Sequence, residues 1–438
     1  MSGGQMSMGA QAAMASAPAR PFELVLAVLW FLVTFTVFPK DEYILYPLAL
    51  YFSYAVWRDR RATGPILAGC WPLLLLPGWA ILSAPLGVVP DEALRTGVQM
   101  VLTALICVLF AAWMSPRRIV LTAFFATGIC GVLSVFFTAY HDGAMTGIFA
   151  HKNMLGAKML LLWAAALCVA FDPWFRLWLR FAALVLAALA FVLILRSHSA
   201  TALVLSLAII AMIGGFGFFA GAGDRTPADR IATGLITAGV LAIALPVLLS
   251  GPDSLADLFF DRLGKSRTLT GRTQLWAYAE DVIRERPVTG YGGGGFWRYQ
   301  ENDVVRQIFA AFHKSPNQVF SFHNSFYENT VHFGLIGLVL TICMLAWAFA
   351  RLALQLVRRG GMPFIFFLTV AMVELIRAMV ESELMRPFVL AHMLIWIGAC
   401  YLAKHRLGTG RGPVQQRPAP KEPAVAFRTA DLAVQNRS

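Results

Sequence analysis

Charge is scarce in this chain. Asp, Glu, Lys and Arg together make up 14% of its 438 residues, where a soluble globular domain carries about 25%. Apolar residues reach 58% and the mean hydropathy is +0.66, which excludes an ordinary soluble fold and implies a polytopic membrane protein. Cysteine is sparse too. Cys70, Cys107, Cys130, Cys168, Cys343 and Cys400 all lie in or beside apolar runs, and no CxxC pair occurs. That excludes a disulfide framework and a zinc module and leaves small buried side chains. No Gly-Lys-Ser/Thr follows the glycine-rich stretch, so a Walker loop is absent. No repeat of 20–50 residues and no inverted repeat is visible. In such a chain a net charge of +12 speaks of membrane topology rather than of nucleic acid, for which no partner role is expected.

Apolar runs of about 20 residues mark candidate spans. They fall at 22–39, 43–57, 66–83, 97–114, 118–140, 154–171, 178–196, 200–220, 231–250, 328–350, 362–382 and 387–403, about twelve helices. Basic residues cluster in every second connection: Arg58, Arg60 and Arg61, then Arg117 and Arg118, Arg176 and Arg180, Arg225 and Arg230, Arg358 and Arg359, and finally Lys404 and Arg406. The positive-inside rule places both termini in the cytoplasm. Residues 1–20 lack a basic segment followed by a short apolar core, so they read as a disordered tail rather than a cleavable signal peptide. The Pro-rich segment 405–438 reads as a second tail. Residues 21–250 then hold the first nine spans, 251–327 form one large loop on the outer side, and 328–404 hold the last three.

Within the lipid region, Glu374, Arg377 and Glu381 recur at i, i+3 and i+7. Either they form an internal ion-pair ladder or they wall a polar site. The loop concentrates what chemistry the chain has. Gln274–Arg286 predicts an amphipathic helix with Leu275, Ala279, Val282 and Ile283 on one face, Thr273 as N-cap and Pro287 as stop. Arg272 then stands just before a helix N-terminus, a natural place for phosphate, with Arg262, Lys265 and Arg267 upstream. A diphosphate clamp and a basic face toward anionic headgroups are both consistent with this. Tyr291–Trp297 reads YGGGGFW; its glycines permit close backbone approach or mobility. Trp276, Tyr291, Phe296, Trp297 and Tyr299 could face sugar rings or anchor the loop at the membrane interface. His323-Asn324 stands where the loop re-enters the membrane, and an imidazole is the usual general base near neutral pH. The competing histidines are His141, His198, His313 and His332. The nearest thing to an Asp-x-Asp metal pair is Glu301-Asn302-Asp303, so no metal or other cofactor is expected.

The segments GIFAHKNMLG (147–156), GRTQLW (271–276), ERPVTGYGGGGFW (285–297) and HNSFYENTVHFGLIG (323–337) together resemble the O-antigen ligase and polysaccharide polymerase superfamily, in family order. They look more like the exopolysaccharide-production polymerases than like typical ligases. The resemblance implies a GT-C-like all-α membrane fold in a bacterial inner membrane, with the loop in the periplasm. It also implies metal-independent glycosyl transfer from a glycan on undecaprenyl diphosphate. By that resemblance His323 activates the acceptor hydroxyl and Arg272 holds the diphosphate; Asn324, beside the histidine, could orient either His323 or the acceptor. A second family arginine falls in RSHSATAL (196–203), where Arg196 fits and His198 is the alternative occupant. Lys152 is a further candidate for the diphosphate, and Trp276, Tyr291, Trp297, Arg298 and Tyr327 for contact with substrate. Glu328, if near, could fix the His323 tautomer. Three functions follow. A polymerase would use a glycan acceptor and a ligase lipid A-core, and either would work with other polysaccharide assembly and export proteins. A twelve-span transporter is the third, disfavoured by the missing internal symmetry.

Overall fold

The computed structural model describes residues 19–36, 38, 40–141, 143–220 and 269–409. The expected span 231–250, the cations Arg225, Arg230, Arg262, Lys265 and Arg267, and both expected tails beyond residues 18 and 409 lie outside the described residues. Helices dominate. In chain order they are α1 (Pro21–Phe35), α2 (Glu42–Arg58), α3 (Arg60–Gly69), α4 (Leu75–Leu82), α5 (Pro90–Trp113), α6 (Pro116–Phe136) and α7 (Lys152–Phe171). Then come α8 (Leu177–Arg196), α9 (Ala200–Ala220), α10 (Leu269–Glu285), α11 (Asp303–Ala311), α12 (Ser325–Arg359), α13 (Met362–Ala378) and α14 (Leu390–Thr409). A two-residue ladder pairs Tyr140–His141 with Ala144–Met145 before α7.

Six helices among the described residues are long and apolar enough to cross a membrane: α5, α6, α7, α8, α12 and the Ala200–Gly217 part of α9. The chain is thus a multi-pass membrane protein. The expected straight span 66–83 is instead broken. α3 and the segment Trp71–Leu86 meet at 88°, where Pro72 stands at the break and cannot continue the helical ladder. If that bent pair is one span, the number rises to seven. α1, α2 and α13 have 15, 17 and 17 residues, about 22–26 Å of helix against a ~30 Å hydrocarbon core.

The core has two centres. α7 packs on α6, α8, α9 and α13, while α14 packs on α1, α3, α5, α12 and α13. From Leu390 to Ala403 every side chain of α14 is buried, as a helix apolar on all sides requires. Close packing relies on small residues. Gly156 of α7 lies against Ser197, Ser199 and Ala202, which brings the α8–α9 turn onto the start of α7.

The loop residues 269–331 fold around a core of their own. Leu275, Ala279 and Val282 of α10 meet Tyr291, Phe296, Val305, Ile308, Phe309, Phe322 and Val331. The expected amphipathic face of α10 is therefore what this small unit is built on. α12 is not one straight rod. Gly334, at φ +68°, breaks its helical path, and the groups freed by the break find partners outside the helix. Trp79 Nε1 donates to Phe333 O at 2.8 Å and Leu335 N to Pro287 O at 2.7 Å. A Cβ at Gly334 would overlap the Val288 carbonyl. Close backbone approach, not mobility, is what the glycine run serves here. Tyr291 N and Gly292 N donate to Val331 O and His332 O, and Tyr291 O accepts from Val88 N.

Candidate active site

Arg272 lies in the first turn of α10. The helix begins at Leu269, earlier than the sequence pattern indicates, so Thr273 is an interior residue and not the N-cap. Arg272 still stands beside the first N–H groups of the helix, which have no intrahelical acceptor. Its half-buried side chain lines an open cleft of about 370 Å³. The cleft is also bounded by Asn153, Ala157 and Leu160 of α7, by Ser199, Thr201, Ala202 and Leu205 at the start of α9, and by Arg377 and Glu381. Four segments distant in sequence thus meet at one end of the bundle.

His323 stands at the rim. Its Nδ1 is 3.8 Å from Oε2 of Glu381 and its side chain is 38% exposed. The residue adopts φ +50°, a left-handed conformation that costs a non-glycine residue about 1–2 kcal/mol. Such a conformation persists only where neighbours enforce it, and the neighbours are visible. The Asn324 side chain caps α12, accepting from Phe326 N at 2.9 Å and Tyr327 N at 3.3 Å. Its Nδ2 donates to Met379 O at 3.3 Å, and its backbone N–H to Ser382 Oγ at 3.0 Å. Buried Ser325 donates from Oγ to Glu381 O at 2.6 Å and accepts from Leu384 N at 3.2 Å. The start of α12 is thus stitched to residues 379–384, where α13 ends. This corrects two expectations. Both ends of the Asn324 side chain are engaged in holding backbone, which leaves it a cap rather than a group free for the acceptor. Glu328 does not reach His323 either. It accepts from Trp297 Nε1 at 2.7 Å and Phe322 N at 2.9 Å and pairs with His332 Nε2 at 3.3 Å.

The arrangement of charges around Arg377 was only partly legible. α13 ends at Ala378, so Glu381 lies past the helix and does not extend a ladder of i+4 steps. Arg377 instead bonds Glu374 at 2.8 Å and Glu383 at 2.9 Å, and His392 Nε2 is 3.4 Å from Glu374. The buried ladder and the polar wall are both present, formed by different acids: Glu374 and Glu383 neutralise Arg377, and Glu381 faces the cleft. Burial raises the pKa of the Glu383 carboxyl, but Arg377 outweighs it and holds the group well below the usual carboxylate range. Glu383 and His392 carry no periodic signal that would have marked them.

The proposed sugar-contacting residues divide. Trp276 and Tyr327 stack at 5.8 Å with 19° between their planes, both half-buried. Trp276 Nε1 donates to Phe322 O at 3.0 Å, and Tyr327 OH to Glu280 at 2.9 Å. The pair thus sits directly on the segment that carries His323. Tyr291 is 8% exposed and packs edge-on to Phe296. Its OH donates to Glu285, and burial followed by that carboxylate raises its pKa. It is a core residue, not a sugar platform. Trp297 packs among Phe296, Phe320 and Phe322, again as core. Arg298 is paired with Glu301 and Arg306 with Asp303, while Asn302 caps α11, so the Glu301-Asn302-Asp303 segment is committed to local structure.

Lys152 opens α7, which His151 caps by accepting Met154 N–H at Nδ1. Arg196 ends α8 with its side chain exposed, and His198 follows at φ +50°. Neither Lys152 nor Arg196 lines the cleft, although their neighbours Asn153 and Ser199 do. No carboxylate among the described residues pairs with Lys152, Arg196 or Arg272.

A family model described as O-antigen ligase matches residues 180–342, a stretch that includes α10, α11 and the start of α12. Among curated proteins, the exopolysaccharide production protein ExoQ of Rhizobium meliloti (strain 1021) is 30% identical over 346 residues, covering 76% of this chain and 77% of that protein.

Proposed function

The chain belongs to the O-antigen ligase and polysaccharide polymerase family, and from that premise we propose that it polymerises lipid-linked glycan repeat units during exopolysaccharide or O-antigen assembly. The donor is a glycan on undecaprenyl diphosphate, and the cleft opens at the periplasmic face of the inner membrane. What carries this reading is the meeting of Arg272 and His323 across Glu381: Arg272 and Glu381 line one cleft, and His323 stands 3.8 Å from Glu381.

The chemistry is a single displacement. The diphosphate lies against Arg272, whose guanidinium fork and adjoining helix N-terminus suit phosphate oxygens. Arg196 and Lys152 come from the flanking helix ends and add positive charge as the lipid-linked glycan settles. His323 accepts the proton of the acceptor hydroxyl through Nε2. The oxygen attacks the anomeric carbon, and the bond from that carbon to the diphosphate oxygen breaks with its electron pair going to the diphosphate. Arg272 stabilises the charge that develops there, the kind of preorganised electrostatic help that dominates many group transfers. One displacement inverts the anomeric configuration, so a retained linkage would contradict the scheme. The leaving group is neutralised by arginine, and the reaction therefore proceeds in chelator. Loss of turnover in chelator with recovery on adding magnesium or manganese refutes that part.

The matched family description favours a second reading, transfer of finished polysaccharide to lipid A-core. Donor chemistry is shared, so the acceptor decides. The test is purified protein in detergent with a synthetic undecaprenyl-diphosphate repeat unit as sole substrate. Growth of a glycan ladder that disappears in His323→Ala supports the polymerase. No ladder until lipid A-core is added makes the protein a ligase, and a ladder surviving in His323→Ala refutes His323 as base. Turnover without a sealed membrane excludes a pure transporter.

A further inference from the structure

We infer that Glu381 is the positioning residue of His323, so that the base works as a His–Glu pair. This rests on the reading of His323 as the base. Two observations carry it. Among the described residues, the Nδ1 atom of His323 is buried without a hydrogen-bond partner, and the acid nearest to it is the Glu381 carboxylate at 3.8 Å. A buried ring N–H without an acceptor is costly, and a carboxylate that shifts by about 1 Å supplies one. Catalytic hydrogen bonds in unliganded sites are commonly this long and tighten when substrate is bound. With Nδ1–H held by Glu381, Nε2 is left as the bare nitrogen and points the base toward the acceptor.

Hydrogen bonds hold the backbone on both sides of the pair. Ser325 Oγ bonds the carbonyl of Glu381 itself, and Asn324 bonds the segment on either side of it at Met379 and Ser382. Glu381 N–H in turn donates to Arg377 O at 2.8 Å. The residues after His323 therefore fix the separation between the imidazole and the carboxylate. The Glu381 side chain contributes to none of these bonds, so its chemistry and its scaffold are separable by mutation. Arg377, which lines the same cleft, is already balanced by Glu374 and Glu383. That leaves the Glu381 carboxylate to the imidazole rather than to an ion pair.

The test compares wild type, Glu381→Gln, Glu381→Asp and His323→Ala as purified full-length proteins. The probe is the lipid-linked glycan extracted from cells lacking the gene. A lost orienting carboxylate should lower kcat in Glu381→Gln by roughly 10- to 100-fold, less than the roughly 10²- to 10⁴-fold that the base itself contributes, with KM changed less than about twofold. Glu381→Asp should recover a large part of kcat, and all variants should keep the wild-type thermal transition. Two outcomes overturn the inference: a Gln variant with wild-type kcat, or equal losses in Gln and Asp together with a lowered transition, which marks a structural role. Activity surviving in His323→Ala defeats the assignment of the base itself, a failure that the other arms do not produce.

Discussion

Replacing Glu328 by Ala should loosen the whole loop unit. The carboxylate is buried and satisfies three donors: the Phe322 backbone N–H, the Trp297 indole N–H and a ring nitrogen of His332. An unmet buried donor costs about 1–3 kcal/mol. The Phe322 N–H is fully enclosed and bears the upper part of that range, whereas half-buried Trp297 can recover water. The truncated side chain also leaves a small void. The sum is about 3–5 kcal/mol, the usual cost of removing one partner from a buried charged network. If about 3 kcal/mol of it falls on local opening, exchange of the Phe322 amide should accelerate about 10²-fold. Hydrogen–deuterium exchange by mass spectrometry on peptides spanning 318–323, in detergent, reads this directly. Peptides from α7, in the other core, should exchange as in wild type. Unchanged exchange at 318–323 would mean that Glu328 does not pin the loop, and the account of how His323 is held would fail with it.

Three other substitutions probe separate parts of the argument. Arg272→Ala should reduce kcat/KM for the lipid-linked glycan by at least about 10²-fold, and Arg272→Lys should recover only part of it, because an ammonium cannot reproduce a bidentate fork; equal activity in Lys and Arg would remove the fork from the scheme. Gly334→Ala should prevent accumulation of folded protein, since φ is +68° and a Cβ meets the Val288 carbonyl; a monodisperse, active Ala variant would show that the break in α12 is dispensable. Tyr291→Phe should leave KM within about twofold and lower stability by about 1 kcal/mol, the worth of one hydrogen bond; a marked rise in KM with unchanged stability would restore Tyr291 as a substrate contact.

Much of the architecture was readable from hydropathy because lipid leaves backbone groups few choices. The apolar runs 97–114, 118–140, 154–171 and 178–196 coincide with helices α5 to α8. Reading failed where local and tertiary demands conflict. The run 66–83 is apolar enough for a span, yet it breaks beside Pro72. Leu269–Arg272 lacks the apolar spacing of a helix start, so the pattern placed the N-terminus a turn late. The aromatics of YGGGGFW could not be sorted between core, membrane and sugar by sequence, since all three environments favour the same rings. Only the partners settle it: the Tyr291 hydroxyl goes to Glu285 and the Trp297 indole to Glu328.

The same limit explains why the immediate partner of His323 was missed. Sequence proximity pointed to Glu328, five positions on and past the cap of the same helix. Cap geometry rules that out. Asn324 at the N-cap turns the chain, so His323 lies outside α12 at φ +50° while Glu328 turns inward to collect Phe322, Trp297 and His332. The carboxylate that faces His323 comes from 58 residues away, beyond the end of another helix. The only local sign of it was Ser325, whose buried hydroxyl had to find a partner and finds the Glu381 carbonyl. A short polar run at a helix start, His-Asn-Ser, thus does two separable things. Its first residue presents an imidazole, and the next two tie that residue to the stretch of chain that carries Glu381. The proposed chemistry of an otherwise oily chain therefore rests on a few hydrogen bonds between segments far apart in sequence, the kind of information that periodicity cannot hold.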